Sequence, residues 1–192
     1  MSVGYSLDEA LERLEALSDS LGIPRITRCD GLVLYALAYT YSTRRSSVLA
    51  VDAGAGVGYS TLWIAKALAD AAVRDGRVYA VESNPSRCAR LSQALATLNA
   101  PLQLKAVCGD AVSFLEGLQE PVDILFVDVD KHLYTRTWEL ASPKLRPGGI
   151  ALYHNAHTPP ARRVLQLARE AGWAATTVDT DPGLLIAIKP EK

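Results

Sequence analysis

The sequence predicts an α/β fold with a doubly wound, mostly parallel, seven-stranded sheet that ends in an antiparallel hairpin. From residue 46 onward, short apolar runs alternate with helical segments, a pattern typical of βαβ units and a parallel sheet. The last two apolar runs are joined only by Asp179–Gly183, a turn too short for a helix, which indicates a hairpin. We interpret residues 1–192 as one domain, with a helical front piece over 1–45 and the sheet over 46–190.

Two helices are predicted in the front piece. Ser6 and Glu9 have the spacing of a capping box, in which each side chain satisfies a free N–H group at a helix start. An apolar stripe follows at helical spacing, made of Leu7, Leu11, Leu14, Leu17 and Leu21. Gly22 and Pro24 end this helix, and a second, more apolar helix is predicted from about Asp30 to Tyr41.

Five strand–helix pairs are predicted next, followed by the two hairpin strands. In chain order the pairs are Val48–Val51 with Ser60–Ala72, Val78–Val81 with Pro85–Leu98, Leu102–Val107 with Ala111–Leu118, Ile124–Val127 with Leu133–Leu140, and Ile150–Tyr153 with Ala161–Ala171. The hairpin strands are Trp173–Val178 and Leu184–Ile188. Pro147–Gly149 is expected to break the chain before the fifth strand.

The composition favours a cytoplasmic protein without a nucleic-acid or membrane partner. Twenty Lys and Arg residues oppose 21 Asp and Glu, and a net charge of −1 gives little attraction for phosphates. The apolar stretch Gly31–Tyr41 is shorter than the roughly 20 residues of a membrane span, and Met1–Glu9 lacks a signal-peptide pattern. Cys29, Cys88 and Cys108 form no CxxC pair, so we expect buried thiols in a reducing compartment.

A glycine-rich loop, Val51–Ser60, joins the first predicted strand to its helix. Gly54, Gly56 and Gly58 allow a tight turn and close approach of the backbone to a ligand. The spacing is G-x-G-x-G, whereas a dinucleotide fingerprint would place its third glycine at Tyr59. The loop therefore indicates a nucleotide-like ligand other than a dinucleotide.

Acidic residues at the ends of three predicted strands describe the ligand further. Asp52, before the glycines, would repel a pyrophosphate but suits an ammonium group, and Glu82 suits the two ribose hydroxyls. Asp110 suits an adenine amine and equally suits a helix cap, and both roles can coexist. A ribose, an adenine and a cationic amino-acid tail together describe S-adenosylmethionine.

The segment Val51–Leu68, with its Gly-Tyr-Ser-Thr sequence at 58–61, resembles the Rossmann-type S-adenosylmethionine-dependent methyltransferases. More closely, the chain is similar to the cation-dependent O-methyltransferases of the catechol and caffeoyl-CoA type, from roughly Pro24 to Lys189 and including the Ile23–Thr27 segment. The resemblance implies a Rossmann-like methyltransferase fold, a small-molecule acceptor and a homodimer. The candidate cofactor-binding residues are Asp52, Gly54, Ala55, Gly56, Gly58, Ser60, Glu82, Ser83, Asp110, Ala111 and Asp128.

The segment after the fourth strand carries the candidate catalytic residues. Its Asp-x-Asp-Lys pattern resembles that family's, in which the first Asp is a metal ligand and the Lys a base; here these are Asp128 and Lys131. A divalent cation bound to a phenol oxygen lowers the pKa of that oxygen, and a nearby lysine accepts the proton or stabilises the resulting charge.

The chain departs from the family at the end of the fifth strand, where an Asp-Asn pair completes the metal site. Asn155 fits, but His154 stands in place of the carboxylate. The candidate metal ligands are therefore Asp128, His154 and Asn155, with an imidazole that favours transition metals over Mg²⁺. Alternatively, His154 is a general base that makes a metal unnecessary.

The sequence thus predicts an S-adenosylmethionine-dependent O-methyltransferase for a small hydroxylated, catechol-like acceptor, with or without a divalent cation (Mg, Mn or another transition metal). The alternatives are a metal-independent enzyme with His154 as the base, or a cofactor-binding protein that has lost catalysis. A methyltransferase for RNA or protein is disfavoured by the near-neutral charge. A nicotinamide dehydrogenase is the outside alternative.

Overall fold

A computed structural model describes residues 5–191 and contains one seven-stranded sheet in the order β3-β2-β1-β4-β5-β7-β6. The strands are β1 Ser47–Ala53, β2 Asp75–Glu82, β3 Gln103–Cys108, β4 Val122–Val127, β5 Leu145–His154, β6 Ala174–Val178 and β7 Leu184–Ile188. The helices are α1 Leu7–Leu21, α2 Arg28–Ser42, α3 Tyr59–Asp70, α4 Pro85–Ala96, α5 Ala111–Gly117, α6 Tyr134–Ala141 and α7 Pro159–Glu170. Residues 1–4 and 192 of the predicted domain lie outside the described residues.

The sheet has the predicted doubly wound topology. Strands β1 to β5 are parallel, and β7 pairs antiparallel with both β5 and β6. The chain runs outward from β1 through β2 to β3, then returns to β4 on the other side of β1. The carboxyl ends of β1 and β4 therefore border the crevice at which open α/β sheets bind ligands.

Alternate residues of the central strands enter two separate cores, one on each face of the sheet. In β1, Val48 and Ala50 pack with helices α1 to α4, whereas Leu49 and Val51 pack with α5 to α7. This near-continuous burial explains why the strand is apolar at successive positions.

The two front helices pack against α3, and both begin with capping boxes. Ser6 and Glu9 cap α1 as predicted, and Gly22 ends it with a left-handed backbone, φ 60°. Helix α2 begins two residues earlier than predicted because Thr27 and Asp30 form a second capping box. Among residues 5–191, no helix combines the length and apolar character needed to cross a membrane.

The predicted break at Pro147–Gly149 is wrong, because these residues lie inside β5. Val122 pairs with Leu145 and Ile124 pairs with Ile150. Two residue steps along β4 therefore correspond to five along β5, which is a shift in the register of the two strands. Gly148 takes φ 73° in this irregular stretch, and its N–H donates to the Lys189 carbonyl at 3.0 Å. The stretch is therefore held by hydrogen bonds to the chain after β7 rather than by β4.

The prediction of three buried thiols is also wrong. Cys88 and Cys108 form a disulfide, and Cys29 is exposed on α2. The two bonded cysteines are 20 residues apart, but α4 folds back against β3 and brings them together. Sequence spacing alone did not indicate this proximity.

The disulfide predicts a thiol count. Protein purified without reductant and then unfolded should expose one reactive thiol per chain, that of Cys29, and three after reduction. Titration with a chromogenic disulfide reagent measures both numbers. Three reactive thiols before reduction would show that Cys88 and Cys108 are not bonded.

Candidate active site

The glycine loop brings the carboxyl ends of β1, β2 and β4 into contact. The N–H groups of Gly54 and Ala55 donate to the Val81 carbonyl of β2 at 2.9 and 3.0 Å. A side chain at Gly54, φ 93°, would overlap the carbonyl of Asp128 after β4. Position 54 therefore requires glycine for two reasons, its left-handed backbone and this close approach.

Glu82 holds the loop from the end of β2. It is 5% exposed, and its two carboxylate oxygens accept the N–H groups of Gly56 and Asn84, each at 2.8 Å. A carboxylate oxygen has two lone pairs, so each retains capacity for a further donor. Glu82 can therefore hold the loop and still accept hydroxyl groups of a ligand.

Asp52 lies beneath the loop and is fully buried. One of its oxygens accepts the hydroxyls of Ser60 and Thr61 at 2.7 and 2.5 Å, and the other has no partner. Burial raises the pKa of Asp52 to about 6; the two hydroxyls oppose this shift, and the charges of Asp128 and Glu82 add to it.

A cleft of about 360 Å³ opens above the ends of β1 to β4. It is lined by eight of the predicted site residues: Gly54, Gly56, Glu82, Ser83, Asp110, Ala111, Asp128 and Lys131. A smaller adjoining pocket is lined by Ala55 and Ser60, beside Arg25. Asp110 also caps α5 by accepting the Ser113 N–H at 2.8 Å, which confirms the capping interpretation.

Asp128 stands at the end of β4 between two basic side chains. The Nζ of Lys131 donates to Oδ1 at 2.9 Å, and Nδ1 of His154 lies 3.2 Å from Oδ2, without the alignment of a good hydrogen bond. Burial alone would raise the pKa of Asp128, but His154 and the Lys131 charge outweigh it and lower the pKa. Asp128 is thus an ionised carboxylate at the edge of the cleft.

His154 has a second acidic neighbour that sequence reasoning missed. Its Nε2 lies 3.3 Å from Oδ2 of Asp30, at the start of α2. Burial lowers the pKa of His154, but Asp128 and Asp30 more than offset this and raise the pKa to about 9. The spacing of Thr27 and Asp30 was the available sequence signal, because it marks a capping box and places Asp30 in the first helical turn.

The predicted metal ligands do not fit a divalent cation. Both oxygens of Asp128 face basic groups, and both ring nitrogens of His154 face carboxylates, so a cation shared by the two side chains would have to displace Lys131 or His154 from Asp128. Asn155 has a left-handed backbone, φ 55°, and its backbone carbonyl accepts two hydrogen bonds, from the N–H and the hydroxyl of Thr158. Within residues 5–191, no three His, Cys, Asp or Glu side chains form a group suited to a metal ion.

Comparison with known proteins identifies the family. Residues 51–156 match the family model described as a methyltransferase domain, which covers more than half of the chain. The chain belongs to this family. The match spans the glycine loop, Glu82, Asp110, Asp128 and the His154–Asn155 pair, and of the residues that line the cleft only Pro24 lies outside it.

Individual proteins that are similar to this methyltransferase are themselves named O-methyltransferases. A catechol O-methyltransferase from Niastella koreensis is 28% identical over 159 residues, 80% of this chain and 68% of that protein. An O-methyltransferase from Bacillus cereus, solved with SAH, has a TM-score of 0.75 at 20% identity, covering 94% of this chain and 90% of that one. The O-methyltransferase TomG from Streptomyces achromogenes, involved in tomaymycin synthesis and solved with SAM, has a TM-score of 0.78 at 21% identity, covering 95% and 90%. The predicted family, the S-adenosylmethionine-dependent methyltransferases, and its fold are both confirmed.

The raised pKa of Asp52 predicts a pH dependence of cofactor binding. S-adenosylmethionine carries an ammonium and a sulfonium charge, which favour the ionised form of Asp52. Its affinity should be constant above about pH 7 and fall below pH 6, approaching about tenfold per pH unit as Asp52 takes up a proton. Isothermal titration calorimetry measures the affinity for S-adenosylmethionine across about pH 5–8, roughly the range in which histidine and this carboxyl titrate.

Two controls distinguish the protonation of Asp52 from other effects of low pH on binding. 5′-Methylthioadenosine lacks both positive charges, so its affinity should change little over the same range. Asp52→Asn, which retains an oxygen for Ser60 and Thr61, should flatten the profile of S-adenosylmethionine. Equal slopes for the two ligands in the unmodified protein would contradict the assignment.

Proposed function

We propose that this methyltransferase transfers the methyl group of S-adenosylmethionine to a hydroxyl oxygen of a small, catechol-like acceptor, without a divalent cation at Asp128. One observation carries the proposal: the cleft joins an acidic rim, made by Glu82, Asp110 and Asp128, to a single lysine, Lys131, at its edge. The likeness to the catechol O-methyltransferase of Niastella koreensis supports the acceptor class.

The cofactor occupies the cleft in an orientation set by charge and hydrogen bonding. The free lone pairs of Glu82 accept the ribose hydroxyls, and Asp110 accepts the adenine amine. The methionine end lies toward Asp128 and the start of α3, where unpaired N–H groups suit its carboxylate. Asp52, from beneath the loop, contributes negative charge for the ammonium and sulfonium groups.

Lys131 faces the acceptor. The acceptor hydroxyl loses its proton to solvent or a base, and the Lys131 ammonium stabilises the oxyanion that remains. The oxyanion attacks the methyl carbon in line with the carbon–sulfur bond. That bond breaks, its electron pair stays on sulfur, and the products are a methyl ether and neutral S-adenosylhomocysteine.

His154 is not suited to act as the base. A base needs an available nitrogen lone pair at working pH, whereas the pKa of His154 is raised to about 9 by its two carboxylate neighbours. Its side chain is also 7% exposed, against 37% for Lys131. The geometry therefore favours Lys131 as the group that contacts the acceptor.

The proposal predicts product formation that depends on Lys131. With catechol as acceptor, Lys131→Met should lower kcat by about 10²-fold or more because the oxyanion loses its stabilising charge. Chromatographic detection of methylated catechol measures kcat, and calorimetry with S-adenosylhomocysteine should show an unchanged affinity.

Lys105→Met, at an exposed position of β3, is the matched control and should leave kcat unchanged. Cofactor binding without product from any catechol would favour the cofactor-binding protein that has lost catalysis. Equal kcat for Lys131→Met and the unmodified chain would remove Lys131 from the mechanism.

Two further expectations remain predictions. The homodimer implied by the family resemblance is consistent with α2, which exposes Leu32 and Tyr39 at its surface. The cytoplasmic location likewise rests on the sequence alone.

A further inference from the structure

A buried side-chain pair lies next to the catalytic edge and has no role in the steps above. Asp30 is 0% exposed and His154 is 5% exposed. One oxygen of Asp30 accepts the N–H and hydroxyl of Thr27 at 2.9 and 2.6 Å and faces His154, and the other accepts the Thr180 hydroxyl. Asp30 thus connects the start of α2, the end of β5 and the turn after β6.

The pair extends into a row of alternating charges. The sequence of groups is the Asp30 carboxylate, the His154 imidazole, the Asp128 carboxylate and the Lys131 ammonium. A neutral imidazole would turn a nitrogen lone pair toward one of its two carboxylate neighbours. Both nitrogens are therefore suited to donate a hydrogen to a carboxylate, and the ring separates Asp30 from Asp128.

The contacts of His154 with Asp30 and Asp128 explain why the predicted ligands do not fit a metal ion. In the family that the chain resembles, the residue at this position is a carboxylate, and a cation supplies the positive charge. Here the imidazole occupies the space beside Asp128, and Asp30 holds the ring from the side opposite Asp128. A cation bound to Asp128 would have to displace either His154 or Lys131 from its carboxylate.

We propose that Asp30 and His154 are positioning residues that take the place of a divalent cation in this methyltransferase and hold Asp128, and through it Lys131, at the edge of the cleft. The catalytic part of this inference rests on the proposed function. The cation part does not, because it concerns only what binds beside Asp128.

The first experiment measures Mn²⁺ binding, by electron paramagnetic resonance of free Mn²⁺, to the full chain with S-adenosylhomocysteine added. The unmodified chain should show no saturable binding up to about 1 mM Mn²⁺. His154→Asp should bind at least about tenfold more tightly, because three carboxylates then surround the same space. His157→Asp is the matched control, since it adds a carboxylate at an exposed position three residues away and should bind no better than the unmodified chain.

The second experiment separates positioning from helix capping. Asp30→Asn should lower kcat by about tenfold or more while the affinity for S-adenosylhomocysteine stays unchanged. Thr27→Ala removes the hydroxyl half of the same capping box but leaves the Asp30–His154 contact, so it should lower the melting temperature without lowering kcat.

Either of two results would overturn the inference. Micromolar Mn²⁺ binding to the unmodified chain, abolished by Asp128→Asn, would place a cation at this site. An unchanged kcat in folded Asp30→Asn, verified by its melting curve, would restrict Asp30 to capping. A chain that methylates no acceptor would end the proposed function, but the Mn²⁺ experiment would still decide the cation part.

Discussion

The position of Asp128 determines the geometry of the site. Each of its carboxylate oxygens faces a different basic group, and its backbone is hydrogen-bonded to the neighbouring strand. Its N–H donates to the Ala53 carbonyl of β1 at 2.8 Å, and its own carbonyl leaves room only for glycine at position 54. The shape of the glycine loop and the place of Lys131 are thus set by the same residue. A change in the position of Asp128 would alter the cofactor cleft and the acceptor edge together.

Clustering carboxylates at one sheet edge costs free energy, and the chain reduces this cost in different ways. Glu82 receives two backbone N–H groups, and Asp128 is compensated by Lys131 and His154. Asp52 has no cation beside it, and its pKa is raised chiefly by burial, with the charges of Asp128 and Glu82 adding to the shift. The ammonium and sulfonium charges of S-adenosylmethionine favour the ionised form of Asp52, so this uncompensated carboxylate suits the cofactor.

The features that the sequence predicted are those that depend on near neighbours along the chain. The alternation of apolar runs predicted the five parallel strands and helices α3 to α7, the capping box and leucine stripe predicted α1, and the short Asp179–Gly183 turn predicted the hairpin. The G-x-G-x-G spacing with Glu82 and Asp110 indicated the cleft. What it missed depends on distant residues. Asp30 and His154 are 124 positions apart, and β5 continues through Pro147–Gly149 only because the chain after β7 supplies hydrogen bonds.

His154 shows how one side chain depends on a distant partner for its chemistry. Read beside Asn155 alone, it suggested a transition-metal ligand or a base. Placed between Asp30 and Asp128, it has a raised pKa, and each of its ring nitrogens faces a carboxylate, which suits neither task. A local motif identifies the position at which the family's chemistry occurs, but the packing of α2 decides which chemistry that position can perform.

The role of Lys131 in place of a cation is tested most directly by a single-turnover measurement of methyl transfer to catechol by chelator-treated protein, with and without added Mg²⁺ or Mn²⁺. We predict the same rate of product formation in all three conditions, because Lys131, held by Asp128 and His154, supplies the positive charge at the acceptor oxygen. A rate that collapses on chelation and returns with the added cation would contradict it.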